Sequence, residues 1–407
     1  MSVSRFATVL LAGLLTTAVL AQTPAPAPRP APAPVAPAAP MPAAPVPQGK
    51  AWILMDHVSG QVLAGENYDE ALNPASITKV MTSYVVAAEM ANGKVKPTDM
   101  VRISENAWRS GGAGTDGSYS ALAINSEVPL DDVLHGLVIQ SGNDAAIALA
   151  EHVAGSEAAF VDLMNAYAKR LGMTRTNFAN AHGLTAEGHL MSARDIAILS
   201  RAVINDYPDH YALYKIKEFT YNNIQQWNRN GLLWKDASVD GLKTGHTEAA
   251  GYCLAASAKR GDQRLISVVL GIDTQSRSEG FKAREEGNLA LLNWGFRFFE
   301  THSVYEAGKQ VADQKLWRGD AETVALGVAQ PLLVTLPRGR YADLKPSMDV
   351  PKQLVAPITK GQKIGTVRLS LDGKVVAERP LVALADVAEG GFFKRMNDDF
   401  WLWWESE

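Results

Sequence analysis

Cysteine is almost absent: Cys253 is the only one in 407 residues, which excludes an intramolecular disulfide and offers no thiolate cluster for a metal. Neither sign of charge dominates. The 39 Lys and Arg are matched by 43 Asp and Glu, and the formal net charge of −4 argues against nucleic acid as a partner. An apolar run of membrane-spanning length is missing as well. The best stretch, residues 6–20, is short and is interrupted by Gly13, Thr16 and Thr17. With Arg5 ahead of it and Val19-Leu20-Ala21 behind it, that stretch reads as a secretory signal over residues 1–21, cleaved after Ala21; a retained membrane span is the alternative. The mature protein is then expected outside the cytoplasm, where a lone thiol is tolerable only if buried. Cys253 lies in the apolar run Gly251-Tyr252-Cys253-Leu254-Ala255 and is read as a core residue.

What is present suffices for a large core. Hydrophobic residues make up 47% and charged residues 20%, and the length fits two or three domains. Residues 22–48 are nearly all Pro and Ala and are expected to form an extended tether without a core. Beyond them, residues 51–55, a turn at 57–60 and residues 61–65 predict a β-hairpin. A helix is predicted to start at Asn73-Pro74-Ala75, with Ile77, Val80, Met81, Tyr84, Val85 and Ala88 on one face. Residues 130–140, 144–153, 157–171 and 192–204 read as further helices. Two strands, 251–258 and 264–270, follow, and helical spacing returns at 285–299. The expected fold class is therefore α+β, a helical block against an antiparallel sheet, over residues 49–301.

From about His302 the texture shifts to prolines, short β-rich runs and turn pairs, predicting a small all-β domain over residues 302–386. Asp372-Gly373 after Ile364, Val367, Leu369 and Leu371 marks a hairpin. Residues 387–407 form a distinct tail. On a helical wheel Phe392, Phe393, Met396, Phe400, Trp403 and Trp404 share one face, and Lys394, Arg395, Asn397 and Asp398 the other. This pattern predicts an amphipathic helix lying on a membrane surface, with a helix closing onto the β domain as the alternative. Asp398, Asp399, Glu405 and Glu407 would weaken attraction to anionic lipid.

Three short words carry chemistry: Ser76-Ile77-Thr78-Lys79, Ser141-Gly142-Asn143 and Lys243-Thr244-Gly245. Ser76 falls in the first turn of its helix and Lys79 three residues on, so both face one way. Buried in a cleft, the lysine ammonium loses hydration and can accept the serine proton. The helix start also lends a backbone N–H to a developing oxyanion. Ser141 and Asn143 sit in a break between two apolar helices, where a connection can be aimed at a cleft. A second S-x-N, at Ser104-Glu105-Asn106, lacks that context. Lys243 and Thr244 precede a strand pair, and Gly245 lets a substrate lie against the strand edge.

These words, in this order, are the signature of penicillin-binding proteins and class A β-lactamases. Residues 73–79, 140–145, 228–233, 240–252 and 293–300 extend the likeness, so that the chain from about Lys50 to its end resembles the low-molecular-weight D-alanyl-D-alanine carboxypeptidases. The resemblance implies Ser76 as acylated nucleophile and Lys79 as its general base, with Ser141 and Asn143 relaying protons. It implies that Lys243 and Thr244, helped by Arg284, bind a terminal carboxylate beside Gly245, and that the backbone N–H groups of Ser76 and His246 hold the oxyanion. His182 and Asp195 fall in family-like stretches near the cleft. The implied substrate is a peptidoglycan stem peptide ending in D-Ala-D-Ala, with β-lactam antibiotics as acylating agents. No cofactor and no metal is expected. The implied location is periplasmic, on the outer face of the cytoplasmic membrane. A β-lactamase would need a deacylating glutamate, and residues 174–184 contain none. A non-catalytic cell-wall binding protein would not need all three words intact.

Overall fold

A computed structural model describes residues 41–115 and 117–405. The expected signal, the tether up to residue 40 and the last two residues of the tail lie outside the described residues. β1 (Ala51–Asp56) turns back into β2 (Val62–Glu66), the hairpin predicted from the apolar runs. A 3-10 turn, Ala75–Thr78, leads into α1 (Lys79–Ala91). The short pair β3 (Met100–Arg102) and β4 (Glu127–Pro129) brackets α2 (Glu105–Gly111). Next, α3 (Leu130–His135) runs into a π-turn, Gly136–Gln140, and after a break come α4 (Asn143–Ala154), α5 (Glu157–Leu171) and α6 (Ala193–Asp206). Single-turn α7 (Pro208–Tyr211), the hairpin β5 (Glu218–Tyr221) and β6 (Ile224–Trp227), and single-turn α8 (Leu232–Lys235) lead to three long strands. These are β7 (Val239–Thr247), β8 (Gly251–Arg260) and β9 (Gln263–Ile272), followed by α9 (Arg277–Phe298).

The main sheet has the order β2-β1-β9-β8-β7, antiparallel throughout, with β7 at its edge. Alternate residues of a strand face opposite sides, and here both sides are covered. Ile53, Cys253, Ala255, Ile266 and Val268 share a core with Ile77, Val80, Ile147 and Ile196 of the helical block. Leu54, Leu254, Leu265 and Val269 pack instead with Leu291 and Leu292 of α9. Cys253 is a core residue, as expected, and burial pushes its thiol up to about 11, far from a reactive thiolate.

Two boundaries differ from the sequence reading. Helix α9 starts at Arg277, not at 285, because Ser276 caps it by accepting from the Glu279 N–H at 3.3 Å. Gly280, which reads as a loop glycine, is inside the helix. A Cβ there would lie 2.2 Å from the Tyr252 ring, so the helix approaches β8 only through that glycine. The β domain begins at Phe299, ahead of His302, because α9 passes into β10 (Phe299–Tyr305) without a linker.

Beyond β10 the chain forms β11 (Gln310–Trp317), β12 (Thr323–Val328), β13 (Leu332–Pro337), β14 (Lys345–Asp349), β15 (Leu354–Val355), β16 (Lys363–Leu371) and β17 (Lys374–Ala383). β10 pairs with β13, and the others form a sheet of order β14-β16-β17-β12-β11-β15. The β16–β17 turn has φ +51° at Asp372 and +78° at Gly373, the left-handed pair that Asp-Gly favours. The tail forms α10 (Phe392–Glu405). Asp398, 2% exposed, accepts a hydrogen bond from the Arg318 N–H at 2.6 Å and one from Lys394. Docking therefore uses the polar edge. The aromatic face is open, Phe393 at 79% exposure and Phe400, Trp403 and Trp404 all exposed. This contradicts the alternative in which that face closes onto the β domain.

Candidate active site

The nucleophile's position depends on an unusual turn. Ala75 has φ +48°, and its carbonyl accepts from Thr78 Oγ1 at 2.8 Å. His189 braces the same hydroxyl, its Nε2 2.8 Å from Thr78 Oγ1 while its Nδ1 accepts from the Ala179 N–H at 3.0 Å. The 180s loop can close over the turn only at Gly183, where a Cβ would come within 2.0 Å of the Ala75 oxygen. From the other side a Cβ on Gly245 would lie 2.8 Å from the Pro74 oxygen and 3.3 Å from the Ser76 nitrogen. The glycine of Lys-Thr-Gly is thus what lets edge strand β7 run past Ser76.

Lys79 is fully buried at the start of α1. Its Nζ donates to Ser76 Oγ at 3.0 Å, to Asn143 Oδ1 at 2.7 Å and to the His182 carbonyl at 2.6 Å. All three acceptors are neutral. Burial pushes the ammonium down from 10.5 to about 7, with the Asp144 carboxylate pulling the other way. Asp144 is itself held by the N–H groups of Ser120, Leu122 and Ala145, and burial still raises its pKa. His182 and His189 are pushed down to about 3 and about 4 by burial first and then by the Lys79 charge, so both stay neutral.

Ser141 ends the π-turn in a left-handed conformation, φ +67°, which aims its hydroxyl into the cleft. Gly142 follows because a Cβ there would lie 1.9 Å from Ser120 Oγ. Lys243 Nζ donates to Ser141 Oγ at 2.8 Å and to the Thr244 carbonyl at 3.1 Å. Burial, then the charges of Lys79, Arg229 and Arg284, hold Lys243 well below the usual lysine range. Two buried lysines therefore flank Ser76 and Ser141.

A cleft of about 430 Å³ collects these groups: Ser76, Ser141, Asn143, Thr244, Gly245 and His246 line it together with Arg284. His246 stacks on Tyr252, centroids 4.1 Å apart. Arg284 lies across Phe281 at 4.5 Å and donates to the Arg229 carbonyl at 3.1 Å; burial lowers it to about 10, so it stays a cation at neutral pH. The alternative S-x-N has other work: Ser104 caps α2 by accepting from the Ala107 N–H, and Asn106 is exposed against Glu151. His182 serves through its backbone carbonyl. Asp195 is away from the cleft lining, accepting from the Arg175 N–H and Thr176 Oγ1 at 2.8 Å each. The sequence reading missed Arg229 and Arg277, which also line the cleft, and Asp144 and His189 behind it.

The chain is similar to known proteins over most of its length. A sequence model described as D-alanyl-D-alanine carboxypeptidase matches residues 39–274, and one described as the penicillin-binding protein 5 C-terminal domain matches residues 299–389. D-alanyl-D-alanine carboxypeptidase DacC of Escherichia coli is 49% identical over 358 residues, covering 87% of this chain and 88% of the relative. DacF of Bacillus subtilis is 37% identical over 351 residues, covering 85% and 87%. Among solved structures, penicillin binding protein 5 from Haemophilus influenzae superposes with a TM-score of 0.81 at 43% identity, covering 85% of this chain and 99% of that one.

Proposed function

The chain belongs to the D-alanyl-D-alanine carboxypeptidase family, and from that premise we propose how its residues divide the work. The enzyme is a serine hydrolase that removes the terminal D-alanine of peptidoglycan stem peptides and is acylated by penicillin. Neutral Lys79 takes the Ser76 proton across their 3.0 Å contact, the observation that carries the assignment. Ser76 Oγ attacks the carbonyl between the two D-alanines. The backbone N–H groups of Ser76 and His246 stabilise the oxyanion at the point where β7 passes the nucleophile turn. The Lys243–Ser141 pair, 2.8 Å apart, hands a proton to the departing amine. D-alanine leaves, and water hydrolyses the ester with Lys79 and Asn143 in place. Penicillin opens its ring on the same serine.

Thr244, Lys243 and Arg284 receive the terminal carboxylate. Truncating Arg284 to Ala is expected to raise KM for a peptide ending in free D-alanine by about 10- to 100-fold, the range of a charge-assisted hydrogen bond worth roughly 1.5–3 kcal/mol. Ring opening of a β-lactam should suffer less. The wild type should also discriminate against the C-terminal amide of the same peptide. Equal kcat/KM on acid and amide would remove the carboxylate pocket.

The proposed location is the periplasm, after cleavage at Ala21, with α10 resting on the outer face of the cytoplasmic membrane. Its support is the open aromatic face. Phe392, Phe393, Met396, Phe400, Trp403 and Trp404 are each worth about 1–2 kcal/mol when buried in an interface. Among the described residues no helix is long and apolar enough to cross a membrane. Deleting residues 390–407 should therefore give a soluble enzyme with unchanged turnover of small peptides. A truncated protein that still sediments with membranes, or that unfolds, would contradict the anchor.

A further inference from the structure

The direction of the substrate follows from the edge strand. On the carboxylate assignment above, a peptide whose terminus meets Lys243 and Thr244 would add antiparallel to edge strand β7, its upstream residues towards Thr247. Beyond the carboxylate end the cleft does not stop. A second cavity, about 210 Å³, shares Gly117, Ser118 and Arg229 with the main one. Away from those shared residues it is lined by Tyr119 and Ile224, 40% and 48% exposed, and by the amides of Gln140 and Gln225.

The cavity is preformed. Gly117, Ser118, Tyr119 and Ala121 line it, and their segment is tied to the catalytic machinery: the Ser118 carbonyl accepts from the Asn143 N–H at 2.8 Å, and Asp144 holds the N–H groups of Ser120 and Leu122. From the hairpin side Gln226 donates to the Ser120 carbonyl at 3.1 Å. Apolar side chains in this lining suit a hydrocarbon stem. Among the described lining residues none is acidic and one, Arg229, is a cation, so a positively charged side chain is disfavoured.

Resting on the carboxypeptidase reading above, we propose that this cavity receives the side chain of the leaving residue, so that the enzyme releases C-terminal D-amino acids with long uncharged side chains as well as D-alanine. The chemistry is unchanged. Ser76 Oγ forms the ester, the C–N bond to the leaving residue breaks, its amine takes a proton, and water cleaves the ester.

The test uses the full-length enzyme and peptides of the form diacetyl-L-Lys-D-Ala-D-Xaa, where Xaa is alanine, norleucine or lysine. D-norleucine should be released with kcat/KM within about threefold of D-alanine, and D-lysine about tenfold more slowly than D-norleucine, within the range that pocket contacts supply. Ile224→Trp fills the cavity from an exposed position. It should slow D-norleucine release about tenfold and leave D-alanine release, which also reports folding, unchanged. Gln225→Trp should act likewise from the neighbouring position. Normal D-alanine release with D-norleucine rejected about a hundredfold would overturn the subsite alone, as would variants that slow both peptides equally. D-lysine released as fast as D-norleucine would overturn its placement beside Arg229. No D-alanine release from the wild type would instead overturn the carboxypeptidase reading.

Discussion

Ser76→Ala is expected to stop D-alanine release from a pentapeptide while leaving the melting temperature within a few degrees of the wild type. Knocking out a nucleophile that acts within a unit costs on the order of 10⁴-fold or more in kcat, because base, relay and oxyanion donors then have nothing to activate. The fold should tolerate the change. Among the described residues the Ser76 hydroxyl has one hydrogen-bond partner, Lys79 Nζ at 3.0 Å, and that ammonium keeps Asn143 Oδ1 and the His182 carbonyl as acceptors. Residual release at more than a few per cent of the wild-type rate would point to another nucleophile, and among the described cleft-lining residues Ser141 and Thr244 are the other buried hydroxyls.

Lys79→Arg should be almost as damaging despite keeping the charge. A guanidinium stays protonated up to a pKa of about 12 or above, whereas burial has brought the Lys79 ammonium down to about 7. Expected is a loss of about 10³-fold or more in acylation by penicillin, within the range of general base catalysis. The same argument fixes the wild-type pH profile. The neutral base dominates above about pH 7, so acylation should plateau there and fall about tenfold per pH unit below it. Stability follows the same sign. Folded Lys79 binds its proton more weakly than the unfolded side chain does, so its contribution rises with pH between about 7 and 10.5, and the buried charge costs stability below that window. An arginine variant acylating at the wild-type rate, or a flat profile between pH 5 and 8, would reduce Lys79 to an electrostatic partner.

How far the site was legible in the sequence depended on whether the signal was local. Ser76 and Lys79 are three residues apart on one helix start, and that spacing alone predicts their contact. Asp372-Gly373 announces its hairpin through backbone preference alone, and the apolar spacing of α5 and α6 gave those helices nearly to the residue. Contacts made by close approach of distant backbone left weaker traces. Gly183 and Gly280 carry no local signal of their role, yet another element passes within a Cβ of each. Asp144 follows Asn143 directly, in the first turn of α4 and ahead of its alanine-rich run, a signal available in the sequence and overlooked. Arg229 lies within residues 228–233, whose likeness to the family was visible without showing that its side chain enters the cleft. Nothing local distinguishes Arg277, because only the early start of α9 brings it there. The tail's amphipathic pattern was clear, but which face docks was not. One hydrogen bond, from the Arg318 N–H to the buried Asp398, decided it.

Mass spectrometry of the penicillin-treated protein tests the central claim most directly. If Ser76 is the acylated nucleophile, the intact mass rises by one whole penicillin molecule, since ring opening expels nothing, and peptide mapping places the adduct on Ser76. An unmodified mass, or an adduct mapped to Ser141 or to any other residue, would contradict the account.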